Sequence, residues 1–137
     1  MFKKILVAVD GSSNAIRAAK EAFDLAKLSH AEITLVYVAY FPQFYKTDLA
    51  DELIESIIED GKKILTDARE IFKRANFTVK TKLIREAKPS EAICKSAQKY
   101  DLIVIGSRGL HKKKEKSIGS VSDAVLHCAP CPVLVVT

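Results

Sequence analysis

Long apolar runs are missing from this sequence. The longest, such as Ile5–Val9, are a handful of residues, far short of the ~20 that a membrane-spanning helix needs. The charged start Met1-Phe2-Lys3-Lys4 resembles the opening of a secretory leader, but the apolar run behind it stops at Asp10 and no small-residue cleavage site follows. With no targeting signal, a cytoplasmic location is expected, and no membrane partner. Cysteine is scarce: Cys94, Cys128 and Cys131 are the three in the chain, and an odd number without a secretory signal argues against a disulfide framework. The sequence has no Gly-x4-Gly-Lys-(Ser/Thr) loop and no Gly-x-Gly-x-x-Gly after its first strand. That removes the commonest motor NTPase and dinucleotide-binding readings. Internal repeats are absent, as is low complexity beyond the lysine tract Lys112–Lys116.

What is present suits one domain spanning residues 1–137, with 48% hydrophobic residues to build a core. The net charge of +5 comes from 22 basic and 17 acidic residues that are interspersed. That balance is mild for nucleic-acid binding and suits a nucleotide or another small anion.

Lys4–Val9 is a near-continuous apolar run, the pattern of a strand buried on both faces of a parallel sheet. It ends in the turn cluster Asp10-Gly11-Ser12-Ser13, which also supplies a helix cap. Ala15, Ala18, Ala19, Ala22, Phe23, Leu25, Ala26 and Leu28 then repeat at helical spacing, the alanines pointing to close packing on a sheet. Ile33–Val38 is the second strand. A loop containing Pro42 follows, and Asp48–Ala75 is a long amphipathic helix with Gly61 inside it, a point where it could bend. Phe77–Ile84 reads as a less buried strand at a sheet edge. Pro89 opens a third helix, Asp101–Ile105 is the fourth strand, Val121–Cys128 the fourth helix and Pro132–Val136 the last strand. This β-α-β-α-β-α-β-α-β order predicts a three-layer α/β fold around a five-stranded parallel sheet.

The chemistry concentrates where such sheets bind ligands, beyond the carboxyl ends of the strands. Gly106-Ser107-Arg108-Gly109 follows the fourth strand, and Gly119-Ser120-Val121-Ser122 opens the fourth helix. Glycines allow a sharp turn and a close backbone approach. Hydroxyls and the unpaired amides of a helix start favour phosphate, and Arg108 can add a charge-assisted contact. Asp10, at the end of the first strand, can hold ribose hydroxyls or a cation accompanying phosphates. The end of the second strand offers backbone groups to a base edge. Cys128-Ala129-Pro130-Cys131 looks like a redox pair but falls at a helix end, and so reads as structural. The apolar last strand, Val133–Val136, would leave an open edge, which a twin strand across a two-fold axis would cover.

On these residues the chain resembles the universal stress protein family, and specifically its ATP-binding branch, marked by Gly-x2-Gly-x9-Gly-(Ser/Thr). Gly106, Gly109, Gly119 and Ser120 match that spacing, and both Ile5–Ser12 and His127–Val136 look like the family's two ends. The resemblance implies a Rossmann-like sheet of order 3-2-1-4-5 and a homodimer. It implies ATP, with magnesium or manganese accompanying its phosphates on Gly106, Ser107, Arg108, Gly109, Gly119, Ser120, Val121 and Ser122. It places Asp10 near the ribose or triphosphate, Val38 on adenine through its backbone, and Ala8 and Val9 in the base pocket. The segment Leu110–Ile118 departs from the family in being unusually basic. The expected function is a nucleotide-dependent stress or signalling module with a protein partner the sequence does not identify. A slow ATPase or a nucleotidyl or phosphoryl transferase is the rival, and no general base stands out for it; a module of this fold that binds no nucleotide is the third reading.

Overall fold

The computed structural model describes residues 2–41, 48–85, 88–108 and 118–137. Gly109, the Lys112–Lys116 tract and the Pro42–Thr47 part of the loop after the second strand lie outside the described residues. Five strands, β1 (Lys4–Ala8), β2 (Glu32–Ala39), β3 (Lys80–Arg85), β4 (Leu102–Gly106) and β5 (Val133–Val136), alternate with four helices, α1 (Ser13–Ser29), α2 (Asp48–Arg74), α3 (Pro89–Ser96) and α4 (Ser120–Cys128). All strand pairs are parallel, in the order β3-β2-β1-β4-β5. The fold is Rossmann-like, as expected.

β1 is the middle strand, and its apolar run follows from burial on both sides. Ile5, Val7 and Val9 pack under α1 and α2, while Leu6 and Ala8 face α3 and α4. Ile5, Leu6 and Val7 have no exposed surface, and each such burial contributes about 1.5–3 kcal/mol. The alanine stripe of α1 lets that helix lie close on the sheet: Ala15, Ala18, Ala19, Ala22 and Ala26 are all buried. Ser12 caps it, its hydroxyl accepting from the Ala15 amide at 3.1 Å, and His30 ends it in the left-handed region at φ 56°.

α2 runs unbroken through Gly61, which lies buried against β2 where a side chain would collide. A Cβ at Gly61 would stand 2.4 Å from the Tyr37 ring. The helix ends at Asn76 (φ 58°), with the Phe77 amide donating back to the Phe72 carbonyl at 2.9 Å and the Asn76 amide to Lys73 at 3.0 Å. Phe77 was expected to begin a strand. It instead turns its ring onto Phe23, 5.1 Å between centroids, and pairing starts only at Lys80. β3 is indeed an edge strand, and its exposed Lys80 and Lys82 suit that position.

The reading against a disulfide framework is corrected. α3 and α4 pack side by side on one face of the sheet and bring the Cα atoms of Cys94 and Cys128 to 5.9 Å, where they form a disulfide; Cys131 is the free thiol. An odd count excludes complete pairing and leaves room for one bridge, and 5.9 Å lies within the usual bridging distance. Burial, and then Asp101, push the Cys131 thiol above its ordinary 9.0.

Candidate functional site

The chain reverses its direction across the sheet between β1 and β4. α1 carries it from β1 outward to β2, whereas α4 carries it from β4 outward to β5. The loops beyond these strands therefore part, and a crevice opens at their carboxyl ends. Register sets what faces what there. Ala8 pairs with Val36, and Val7 with Val104. Asp10, Val38 and Ser107 therefore all lie at the carboxyl end of the sheet, on β1, β2 and β4 or just beyond them.

Asp10 does not cap α1; Ser12 does. The Asp10 carboxylate accepts from the Ser12 amide through Oδ1 at 2.9 Å, a short-range bond that bends the chain out of β1. Gly11 makes the bend possible with φ 89°, and a Cβ there would also press on Ile64 at 3.2 Å. Oδ2 of Asp10 is left for another partner.

On the other side of the crevice the two glycine ends are stitched together. The Gly119 amide donates to the Ser107 carbonyl at 2.5 Å, and the Ser122 hydroxyl to the Gly106 carbonyl at 2.6 Å. The Ser107 amide donates to Val136 in β5 at 2.8 Å. Packing leaves no room for a side chain at Gly106 and little at Gly119. A Cβ at Gly106 would lie 2.9 Å from Asn14 Cβ, and one at Gly119 would lie 3.0 Å from the Ser107 carbonyl oxygen. These bonds hold the N-terminus of α4 against the end of β4. The amides of Ser120, Val121 and Ser122 fall in the first turn of α4, where a helix supplies no acceptor and the dipole favours an anion. Ser120 and Val121 are exposed. Arg108 follows Ser107, and its Nε is buried and has no partner among the described residues. Gly109 lies outside the described residues.

Of the three residues expected around a base, the structure brings two together. Ala8 and Val38 are half-buried and point to the face covered by α3 and α4. Val9 points the other way, into the core under α1, with 4% exposure, and its amide donates to Val36 at 2.9 Å. On the other face of the sheet Tyr37 packs against α2, and its phenol is pushed above 10.0 by burial and then by the charges of Asp60 and Asp10. No group of three or more His, Cys, Asp or Glu residues able to hold a metal occurs among the described residues.

Sequence reasoning missed Asn14 and Arg17. Asn14 is 2% exposed, and its amide nitrogen donates to Ser107 Oγ at 3.2 Å. Arg17 donates from Nη2 to Asn14 Oδ1 and from Nε to the main-chain oxygen of Thr137, the latter at 3.1 Å. One signal was available. Asn14 lies four and eight residues before Ala18 and Ala22, on the stripe that meets the sheet, where a polar side chain needs a partner.

Residues 1–137 match the universal stress protein family. The chain is 35% identical to universal stress protein YxiE of Bacillus subtilis, over 99% of both chains. Among solved structures it resembles the hypothetical protein MJ0577, with a TM-score of 0.86, 30% identity, and coverage of 99% of this chain and 96% of that one. The universal stress protein from Archaeoglobus fulgidus, solved in complex with dAMP, gives a TM-score of 0.77 at 26% identity over 98% of both chains. A universal stress protein solved in complex with cAMP gives 0.75 at 27% identity, over 99% of this chain and 97% of that one.

Proposed function

The chain belongs to the universal stress protein family, and from that premise we propose that it is an ATP-binding module that holds the nucleotide in the crevice between β1 and β4. The observation that carries the reading is the clasp that holds the first turn of α4, with its unpaired amides, against the end of β4 beside the β1–β4 switch point. The adenine nucleotides bound by the Archaeoglobus fulgidus protein and by the cAMP-bound relative support the choice of base.

Adenine lies against Ala8 and Val38, its edge met by main-chain groups at the end of β2. Asp10, with Oδ1 on the Ser12 amide, offers Oδ2 to a ribose hydroxyl or to a magnesium or manganese ion. A single carboxylate fits an ion that arrives with the triphosphate, because magnesium is usually held by one or two carboxylates together with phosphate oxygens. The phosphates take the first-turn amides of Ser120, Val121 and Ser122 and the charge of Arg108. Gly106 and Gly119 serve by letting α1, β4 and α4 approach one another. The module is cytoplasmic and acts as a homodimer through β5, its nucleotide state altering the surface it shows to a protein partner.

Nucleotide released by denaturing freshly purified protein should be an adenine nucleotide, and calorimetry should give saturable ATP binding at one per chain. Gly119→Val, which forces Ser107 and α4 apart, should weaken it by roughly tenfold or more. A parent chain that neither retains nor binds an adenine nucleotide overturns the reading.

A further inference from the structure

Asn14, Arg17 and Ser107 meet where the first turn of α1 touches the end of β4. Asn14 and Ser107 are 2% and 3% exposed, so the polarity of each contact matters. A guanidinium has donors only. By donating to the Asn14 side chain, Arg17 therefore fixes that end of the amide as oxygen. The NH2 end is then necessarily the one turned to Ser107 Oγ, at 3.2 Å. A serine hydroxyl carries one proton and two lone pairs. Ser107 Oγ accepts from Asn14 and so keeps its own proton, for which no acceptor occurs among the described residues. The same residue accepts the Gly119 amide on its carbonyl. Its hydroxyl thus stands between the N-termini of α1 and α4, two helix ends that both favour an anion.

We propose that Asn14 and Arg17 are positioning residues that set the polarity of the Ser107 hydroxyl, so that Ser107 donates its proton to an anionic oxygen of the nucleotide's phosphate chain. This rests on the nucleotide reading above and specifies one contact within it. Arg17 does so from an exposed position, because its Nε is anchored on the main-chain oxygen of Thr137.

Asn14→Asp separates polarity from shape. The substitution is nearly isosteric and keeps a partner for Arg17, but a carboxylate only accepts, so the Ser107 proton turns back onto residue 14. Calorimetry with ATP and with adenosine on the parent, N14D, S107A and the N14D/S107A pair is the test, with thermal melts to confirm folding. N14D is expected to bind ATP roughly tenfold more weakly, the effect of losing a hydrogen bond to a charged group, and adenosine within about twofold of the parent. S107A should behave alike, and adding N14D to it should change ATP affinity little, since the donor is already gone. Arg17→Ala should lose part of the affinity for ATP, and Arg17→Lys, which keeps a donor facing the Asn14 oxygen, should restore it. This pair decides the matter if N14D does not fold. ATP binding by N14D equal to the parent's, or an N14D penalty undiminished in the S107A background, overturns the inference and leaves the nucleotide reading standing. A parent that binds no ATP overturns both.

Discussion

Tyr37 and Gly61 form a pair that illustrates how one residue's size is set by another's. Alanine is better than glycine in a helix by about 1 kcal/mol, yet the Cβ of Gly61→Ala would sit 2.4 Å from the Tyr37 ring. Overpacking of that kind costs about 1–3 kcal/mol, so the substitution should destabilise the chain on balance, read as a lower denaturation midpoint. A midpoint at or above the parent's would mean that the ring moves aside without penalty. The Tyr37 phenol carries a second consequence. Burial and the nearby Asp60 and Asp10 raise its pKa above 10.0, so the folded chain holds this proton more tightly than the unfolded one. The stability it contributes is complete below the unfolded value and is lost as pH rises from there through the folded value. Tyr37→Phe should therefore lose less stability than the parent on going from neutral pH to above pH 10, in denaturation series at matched conditions. Parallel curves would remove the shift as a cause.

α1 and β1 show at the element scale why the fold was legible in the sequence. An apolar run covered on both faces and an alanine stripe at helical spacing are local patterns, and they place the middle strand and its helix without reference to anything distant. Asp10, Ser107 and Val38 were legible for the same reason, since each ends a strand. What was hidden depends on which elements become neighbours. The bond from Asn14 to Ser107 spans 93 positions, and the Cys94–Cys128 bridge exists only because α3 and α4 share a face. The direction of Val9 turns on strand alternation, which sorts it away from Ala8. Gly106 and Gly119 were read for ligand approach, and the structure shows that each also lets two elements touch. The bridge makes its own prediction. It closes a loop of sequence separation 34, for which chain entropy gives about 3–4 kcal/mol of stabilisation. Denaturation with and without a reducing agent should differ by an amount of that order, and Cys131→Ser should leave the difference intact. An identical midpoint in both conditions would show that the bridge contributes nothing.

β5 sets the behaviour of the whole molecule as an edge strand that is apolar throughout, with Leu134 36% exposed. Such an edge invites pairing with a second copy. Sedimentation at micromolar concentration should give twice the mass of one chain, and Leu134→Lys should shift the equilibrium towards monomer. A parent that sediments as a single chain at that concentration rules out the homodimer. Finally, the bonds from Gly119 to Ser107 and from Ser122 to Gly106 fasten the start of α4 to the end of β4, a clasp that makes helix and strand act as one rigid unit.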